Sequence, residues 1–500
     1  MVQDKGQEEK KPAGGRDKTP YPSKEVGHTV KFTFHNATHL PVGDVDSLSS
    51  DPFVYATVTS SLPKRHRQDP DTCFRSHTVR RSCTPEWNAE WIVANIPSDG
   101  FKLKVQVFDE DPGNHDDQLG TVEVHADKID GFSIQKKEYK MKRKGASNRA
   151  YFMRGCRQLL SPSIPSHARM YLSVEVLGQT TGEGGRLYTL RPNNWSKHYS
   201  PLFGQLTKTK AGEGREKRHF DFEANQFQLG GPVPGDMYHR YVEFKPFVGG
   251  MFRTRGVRGW LLHRLLHHQH TKVYAYDRKT RYGCVEEPSL EMTHQFLKMV
   301  DYDQGNRIFT YVLTLDGQWR FTETGKQFGI DFLSKHTMHS DVSIYIAFSG
   351  EFFIQRRRRN RRKSTHAENR DQSSADISTE KLDAKSKPDA GGYELIIDND
   401  SGTYRPDASI LPQLRKYMEG NLVGLRVRTL DCGEDKDEMN RLKDRKRGQT
   451  TKQNGKTQYV VQASDSSSMS SSDGEEAGSD HFHKPKAPKE KLLSWAEKEN

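Results

Sequence analysis

Residues 101–120 read FKLKVQVFDEDPGNHDDQLG. Phe101, Leu103, Val105 and Val107 alternate with Lys102, Lys104 and Gln106, the period-2 pattern of a strand with one buried face. The strand then runs into Asp109, Asp111 and Asp117, at i, i+2 and i+8. Residues 40–58, LPVGDVDSLSSDPFVYATV, show an acidic loop leading into another alternating strand. TVKFTF, GTVEVH and MYLSVEV (Met170–Val176) follow the same rule, separated by Gly, Pro, Asn and Asp clusters. Short alternating strands between such turns are the pattern of an all-β sandwich.

The two acidic loops carry the chemistry. Calcium takes about six to eight hard oxygen ligands in a flexible cage. On a loop leaving a strand, Asp109 and Asp111 point the same way, and the returning loop delivers Asp117. Asp51, with Asp44 or Asp46, comes from the opposite loop at the same end. Five converging carboxylates repel one another without a cation. The bland alternative is that these Asp and Asn residues only shape turns.

Three ordered motifs carry a family resemblance: LP…D…SDPF, VRRSCTPEWNAEW and VFDED…DDQLG. They resemble the C2 domain in its calcium-binding form, as in conventional protein kinases C and synaptotagmins, over residues 28–178. The resemblance implies a Greek-key sandwich with Asp44, Asp51, Asp109, Asp111 and Asp117 as Ca2+ ligands. Loop one is one residue longer than usual between its aspartates, so Asp46 is the substitute for Asp44. It also implies calcium-dependent binding to anionic phospholipids, with Val45 and Leu48 at the tip of loop one. Lys64, Arg65 and Arg67, then Arg75, His77, Arg80 and Arg81, supply basic side chains. The second group reads as an alternating strand, and the resemblance makes it a phosphoinositide site; a solvated strand face is the alternative.

Composition bounds the rest. The chain has 500 residues, 78 basic against 66 acidic, and a formal charge of +12. Hydrophobic content of 33% and mean hydropathy of −0.90 mean that part of the chain cannot bury enough apolar surface to fold. No run approaches the roughly 18 apolar residues of a spanning helix, and the first residues lack the apolar core of a secretory signal. Five scattered cysteines without CxxC spacing argue for a reduced compartment and against a structural zinc site.

The expected organisation is multidomain. Residues 1–26 are disordered, 27–178 form the sandwich, and 179–217 are a Gly/Lys-rich connector. Residues 218–355 form a mixed α/β (α+β) region with a hairpin at Asp316-Gly317 and helices at 257–270 and 325–336. Residues 356–390 are a polybasic and polar linker. Residues 391–432 are a βαβ unit packing on the α/β region, and 433–500 a disordered, Ser-rich tail.

Within the later region, Asp398 and Asp400 at a strand end are a candidate ligand site, because α/β proteins bind ligands there. The alternative is that they cap the following helix, Ser409–Gly420. The amphipathic helix at 257–270 and the pair His336 and His339 read more simply as core and helix-end features. DGQWRFTETG and IDNDSGTYRP resemble segments of uncharacterised, fungal-type C2 proteins, which assigns no activity.

The expected function is calcium-dependent membrane binding that recruits the α/β region, in a cytoplasmic, peripheral membrane protein. A lipid- or phosphate-ester-processing enzyme using Asp398 and Asp400 is the alternative. A nuclear adaptor using the basic run Arg356–Lys363 comes third. Specific nucleic-acid binding is disfavoured, because no stacking aromatics interleave that run.

Overall fold

The computed structural model describes residues 19–44, 47–66, 69–111, 116–160, 165, 167–200, 222–237, 239–240, 274, 276–302, 307–324, 345–357, 389–401 and 405–454. The expected helices at 257–270 and 325–336, His336, His339 and Arg358–Lys363 lie outside these residues.

Two sheets make the N-terminal sandwich. In the five-stranded sheet, β1 (His28–Thr38) is central, between β4 (Glu86–Ile96) and β8 (Arg169–Gln179). β7 (Ser133–Lys140) and β9 (Tyr188–Arg191) form its edges. The facing four-stranded sheet runs β3 (Thr72–Arg75), β2 (Pro52–Thr59), β5 (Phe101–Asp109), β6 (Asp117–Ala126). The period-2 reading of β5 holds residue by residue: Phe101, Leu103, Val105 and Val107 are buried, while Lys102 and Lys104 are exposed. They meet Phe32, Phe34, Phe74 and Trp91 from the other strands, and Trp91 is itself fully buried. Burying side chains of this size contributes roughly 1.5–3 kcal/mol each.

Register sets the functional end. Pro52 faces Asp109, and Asp109 faces Asp117. The last residue of β5 therefore lies between the first residues of β2 and β6, where the two acidic loops begin and end. A helix, α1 (Asn148–Leu160), fills the connection between β7 and β8.

The chain passes from β9 into β10 (Asn193–Ser200), the second strand of a nine-stranded sheet that also holds β11 (Phe222–Gln228), β12 (His239–Arg240) and β13 (Arg281–Val285). The expected connector over 179–217 thus contributes an edge strand to one sheet and an inner strand to the next. β14 (Ile308–Thr314) and β15 (Gln318–Thr324) form a hairpin, with Gly317 at φ +82°. β16 (Tyr345–Arg356) pairs with β14 and with β17 (Tyr393–Asp398). β18 (Arg426–Leu430) then runs parallel to β17, with α3 (Leu411–Asn421) between them in sequence. α3 and α2 (Leu290–Met299) bury apolar side chains against one face of the sheet.

The other face corrects the expected tail. α4 (Lys436–Asn454) covers it with Met439 and Leu442, against Ile308, Phe353, Ile396 and Leu430. Adjacent strand residues split between the two layers, Phe352 to one side and Phe353 to the other. A sheet buried on both faces needs this helix, and its few apolar residues made it look like low-complexity tail. Among the described residues no helix is long and apolar enough to cross a membrane.

Candidate metal centre

Asp44, Asp109 and Asp111 each place a carboxylate oxygen within 4.8 Å of the others. Asp109 ends β5 and is fully buried. Its Oδ1 accepts the Asp51 N–H at 2.5 Å. Its Oδ2 is buried with no hydrogen-bond partner among the described residues. Such an atom normally costs about 1–3 kcal/mol, more when charged.

Loop one is built around that atom. A Cβ on Gly43 would lie 1.6 Å from Asp109 Oδ2, so bare backbone is required there. Ser50, fully buried, accepts the Gly43 N–H at 2.8 Å and donates to the Pro41 carbonyl at 2.8 Å. The Asp44 N–H donates to the Ser49 carbonyl at 3.0 Å, which closes the loop.

Alternation sorts the acidic run leaving β5. Asp109 and Asp111 turn to the triad, while Glu110 between them turns to Arg75 at 2.8 Å, to Arg80 and to the Thr78 hydroxyl at 2.5 Å. The Asp111 N–H donates to Asp116 Oδ1 at 3.1 Å.

The electrostatics are those of an uncompensated anionic cluster. Burial pushes the Asp109 carboxyl up to about 7, and Asp44, Asp111 and Asp51 add to the shift. Burial also raises Asp111, helped by Asp117 and Asp44. Asp44 is raised by burial and then by Asp51, while Arg149 and Arg278 oppose the shift. An all-oxygen donor set with an orphaned carboxylate oxygen fits a hard divalent cation such as calcium, not zinc with its nitrogen and sulfur preference.

The other expected ligands sit beside the triad with partners of their own. Asp51 pairs with Arg80 at 3.0 Å and accepts the Arg81 N–H at 2.7 Å. Asp117 accepts the Ser147 hydroxyl at 3.0 Å. Val45 and Asp46 fall outside the described residues; Leu48 is 61% exposed.

The expected basic strand differs from its reading. β3 stops at Arg75, and residues 76–84 are irregular. Arg75 and Arg80 hold Glu110, and Arg75 is sandwiched 3.9 Å from the Phe53 ring centre and 3.4 Å from that of Tyr276. Lys64 pairs with Asp71 at 2.7 Å, and Arg65 donates to the Gly235 carbonyl at 3.0 Å; Arg67 is outside the described residues. Residues 276–282 dock on the sandwich beside Arg75, with Tyr276 stacked on its guanidinium and the Tyr282 hydroxyl donating to the Thr78 carbonyl at 3.3 Å. The docking leaves a groove of about 420 Å³ beside Asp51, lined by Arg80, Arg81, Asp277, Arg278, Thr280 and Tyr282. Arg81, Arg149 and Arg278 are exposed.

Asp398 and Asp400 do not form an open site. Asp398 is buried, paired with Lys443 at 2.6 Å. It also accepts the N–H groups of Glu351 at 2.7 Å and Asp400 at 3.0 Å. Asp400 pairs with Arg405 at 3.2 Å. Neither caps the following helix: Asp407 accepts the Ser409 N–H at 2.9 Å, and a short 3-10 turn leads into α3.

Sequence reasoning missed α1. Phe152 and Leu159, 71% and 84% exposed, lie seven residues apart, a helical spacing embedded in a β pattern.

Comparison with known proteins identifies this architecture: residues 28–141 match the family model of the C2 domain. The sandwich is a C2 domain. A relative in Arabidopsis thaliana, Protein C2-DOMAIN ABA-RELATED 6, is 35% identical over 79 residues, 16% of this chain and 38% of that protein. The match therefore spans well under half of that relative. Among solved structures, a C2 domain of plant Extended Synaptotagmin 1 matches at 12% identity, covering 32% of this chain and all of that one, with a TM-score of 0.22. The tandem C2 domains of Extended-Synaptotagmin 2, calcium bound, match at 16% identity, covering 36% of this chain and 59% of that one, with a TM-score of 0.22. The acidic triad lies on the loops at one end of this C2 domain.

Proposed function

We propose that the chain binds calcium at Asp44, Asp109 and Asp111 and, when loaded, docks that end of its C2 domain on anionic phospholipid. The observation that carries the reading is the buried, unpartnered Asp109 Oδ2 facing two further carboxylates. Asp51 and Asp117 flank the triad and are the further oxygen donors of the set. The ion would supply positive charge at a surface otherwise anionic. Leu48 on loop one offers an apolar contact to the bilayer interface. Arg81 and Arg278, at the groove beside Asp51, are placed for lipid phosphates, including those of phosphoinositides; they take over the role expected of Arg75 and Arg80.

The nine-stranded region is then cargo that contacts the C2 domain through Tyr276 and Tyr282. The protein acts as a peripheral membrane protein of the cytoplasm. Sedimentation of the full chain with phosphatidylcholine–phosphatidylserine vesicles tests the proposal. Pelleting in calcium and not in chelator is expected; equal pelleting in both would sink the calcium half.

A further inference from the structure

We infer that α1 is a second membrane anchor, inserting Phe152 and Leu159 into an anionic bilayer beside the calcium loops. The inference rests on the proposed membrane-facing role of this end of the C2 domain. Three observations carry it.

The first is exposure. Among the described residues, the three most exposed large apolar side chains are Leu159 at 84%, Phe152 at 71% and Leu48 at 61%. Phe152 and Leu159 are two helical turns apart and share a stripe with Cys156.

The second is attachment. α1 already uses another face to bind the C2 domain. Ala150 is fully buried, the Tyr151 hydroxyl donates to the Leu119 carbonyl at 3.0 Å, and buried Arg154 donates to the carbonyls of His39 and Pro165 at 2.6 Å each. His39 is the first residue after β1, at the root of loop one. Ser147, just before α1, holds Asp117 at the root of the other acidic loop. The apolar stripe is thus fixed at the calcium end, on the side that the fold leaves open.

The third is charge. Residues 139–160, YKMKRKGASNRAYFMRGCRQLL, contain seven Lys and Arg and no Asp or Glu. Lys144 and Arg149 are exposed. An apolar stripe bordered by cations suits an anionic lipid surface, where each basic residue adds attraction. The arginine at 149 also bears on Asp44 and Asp111, so helix and triad share one field.

The test is vesicle sedimentation of the full chain, in calcium and in chelator. It compares wild type, the double variant Phe152→Ser/Leu159→Ser, and Leu177→Ser as a control. Leu177, 48% exposed, lies near the far end of β8. The double variant should lose about tenfold or more in vesicle partitioning in calcium, as expected from removing two insertable side chains. Leu177→Ser should partition as wild type, and thermal melts of all three should coincide. Phe152→Trp should restore binding when introduced into the Leu159→Ser background. Wild-type partitioning by a folded double variant would overturn the anchor and leave the calcium proposal standing. Calcium-independent binding by wild type that the double variant loses would keep the anchor and remove the calcium proposal. No binding by wild type in either condition would overturn both.

Discussion

Asp109 Oδ2 occupies the space where a side chain at Gly43 would begin: an added Cβ would sit 1.6 Å from it. The carboxylate that closes the triad therefore depends on a missing methyl group in the opposite loop. The Asp51 N–H, held on Asp109 Oδ1, completes the link between the two loops.

Gly43→Ala should push Asp109 out of the triad. The expected result is at least a tenfold loss of calcium affinity, with an overpacking cost of about 1–3 kcal/mol. Calcium titration together with a thermal melt checks it. Unchanged affinity would mean that Asp109 does not hold the ion.

The same buried carboxylate predicts a pH dependence. Burial pushes the Asp109 carboxyl up to about 7, well above the ordinary 3.8. Between these limits the folded chain keeps a proton that the unfolded chain has released. Its stabilising contribution is complete below the unfolded value and is lost as pH rises through the folded one. In chelator the melting temperature should therefore fall from about pH 5 to about pH 8, and Asp109→Asn should flatten the slope. Saturating calcium should recover most stability at the upper end, because the ion replaces the proton. Differential scanning fluorimetry across that range decides it.

Lys443 on α4 is a buried cation packed against the nine-stranded sheet. Its Nζ lies 2.8 Å from Glu351 and 2.6 Å from Asp398, one ammonium between two carboxylates. Burial raises the Asp398 carboxyl above its ordinary range, with Lys443 opposing the shift. Lys443→Met should cost about 3–5 kcal/mol, the usual consequence of leaving buried charge unpaired. Adding Glu351→Gln and Asp398→Asn to that variant should recover much of the loss. A denaturant melt of the three chains measures it; a near-neutral Lys443→Met would mean that α4 does not seal the sheet.

These features differ in how legible they were. The sandwich strands could be read because β5 buries every second residue with one polar neighbour between, a pattern that survives without knowledge of its partners. The acidic loops could be read because Asp109, Asp111 and Asp117 recur at strand-end spacing. α4 could not: it buries Met439, Leu442 and the ion-paired Lys443 and is otherwise polar, so its partner is visible only once the sheet exists. The Arg75–Arg81 segment looked like a free basic face because nothing local in sequence announces Glu110 or Tyr276 as its partners. α1 was hidden by its setting, a short helical period between two strands.

The central claim is that Asp44, Asp109 and Asp111 form a calcium site. Isothermal titration of the full chain with calcium, wild type against Asp109→Asn, tests it most directly. Saturable binding by wild type that the variant loses, while its melt in chelator stays cooperative, is the predicted result. No heat from wild type at millimolar calcium, or equal binding by both chains, would contradict it.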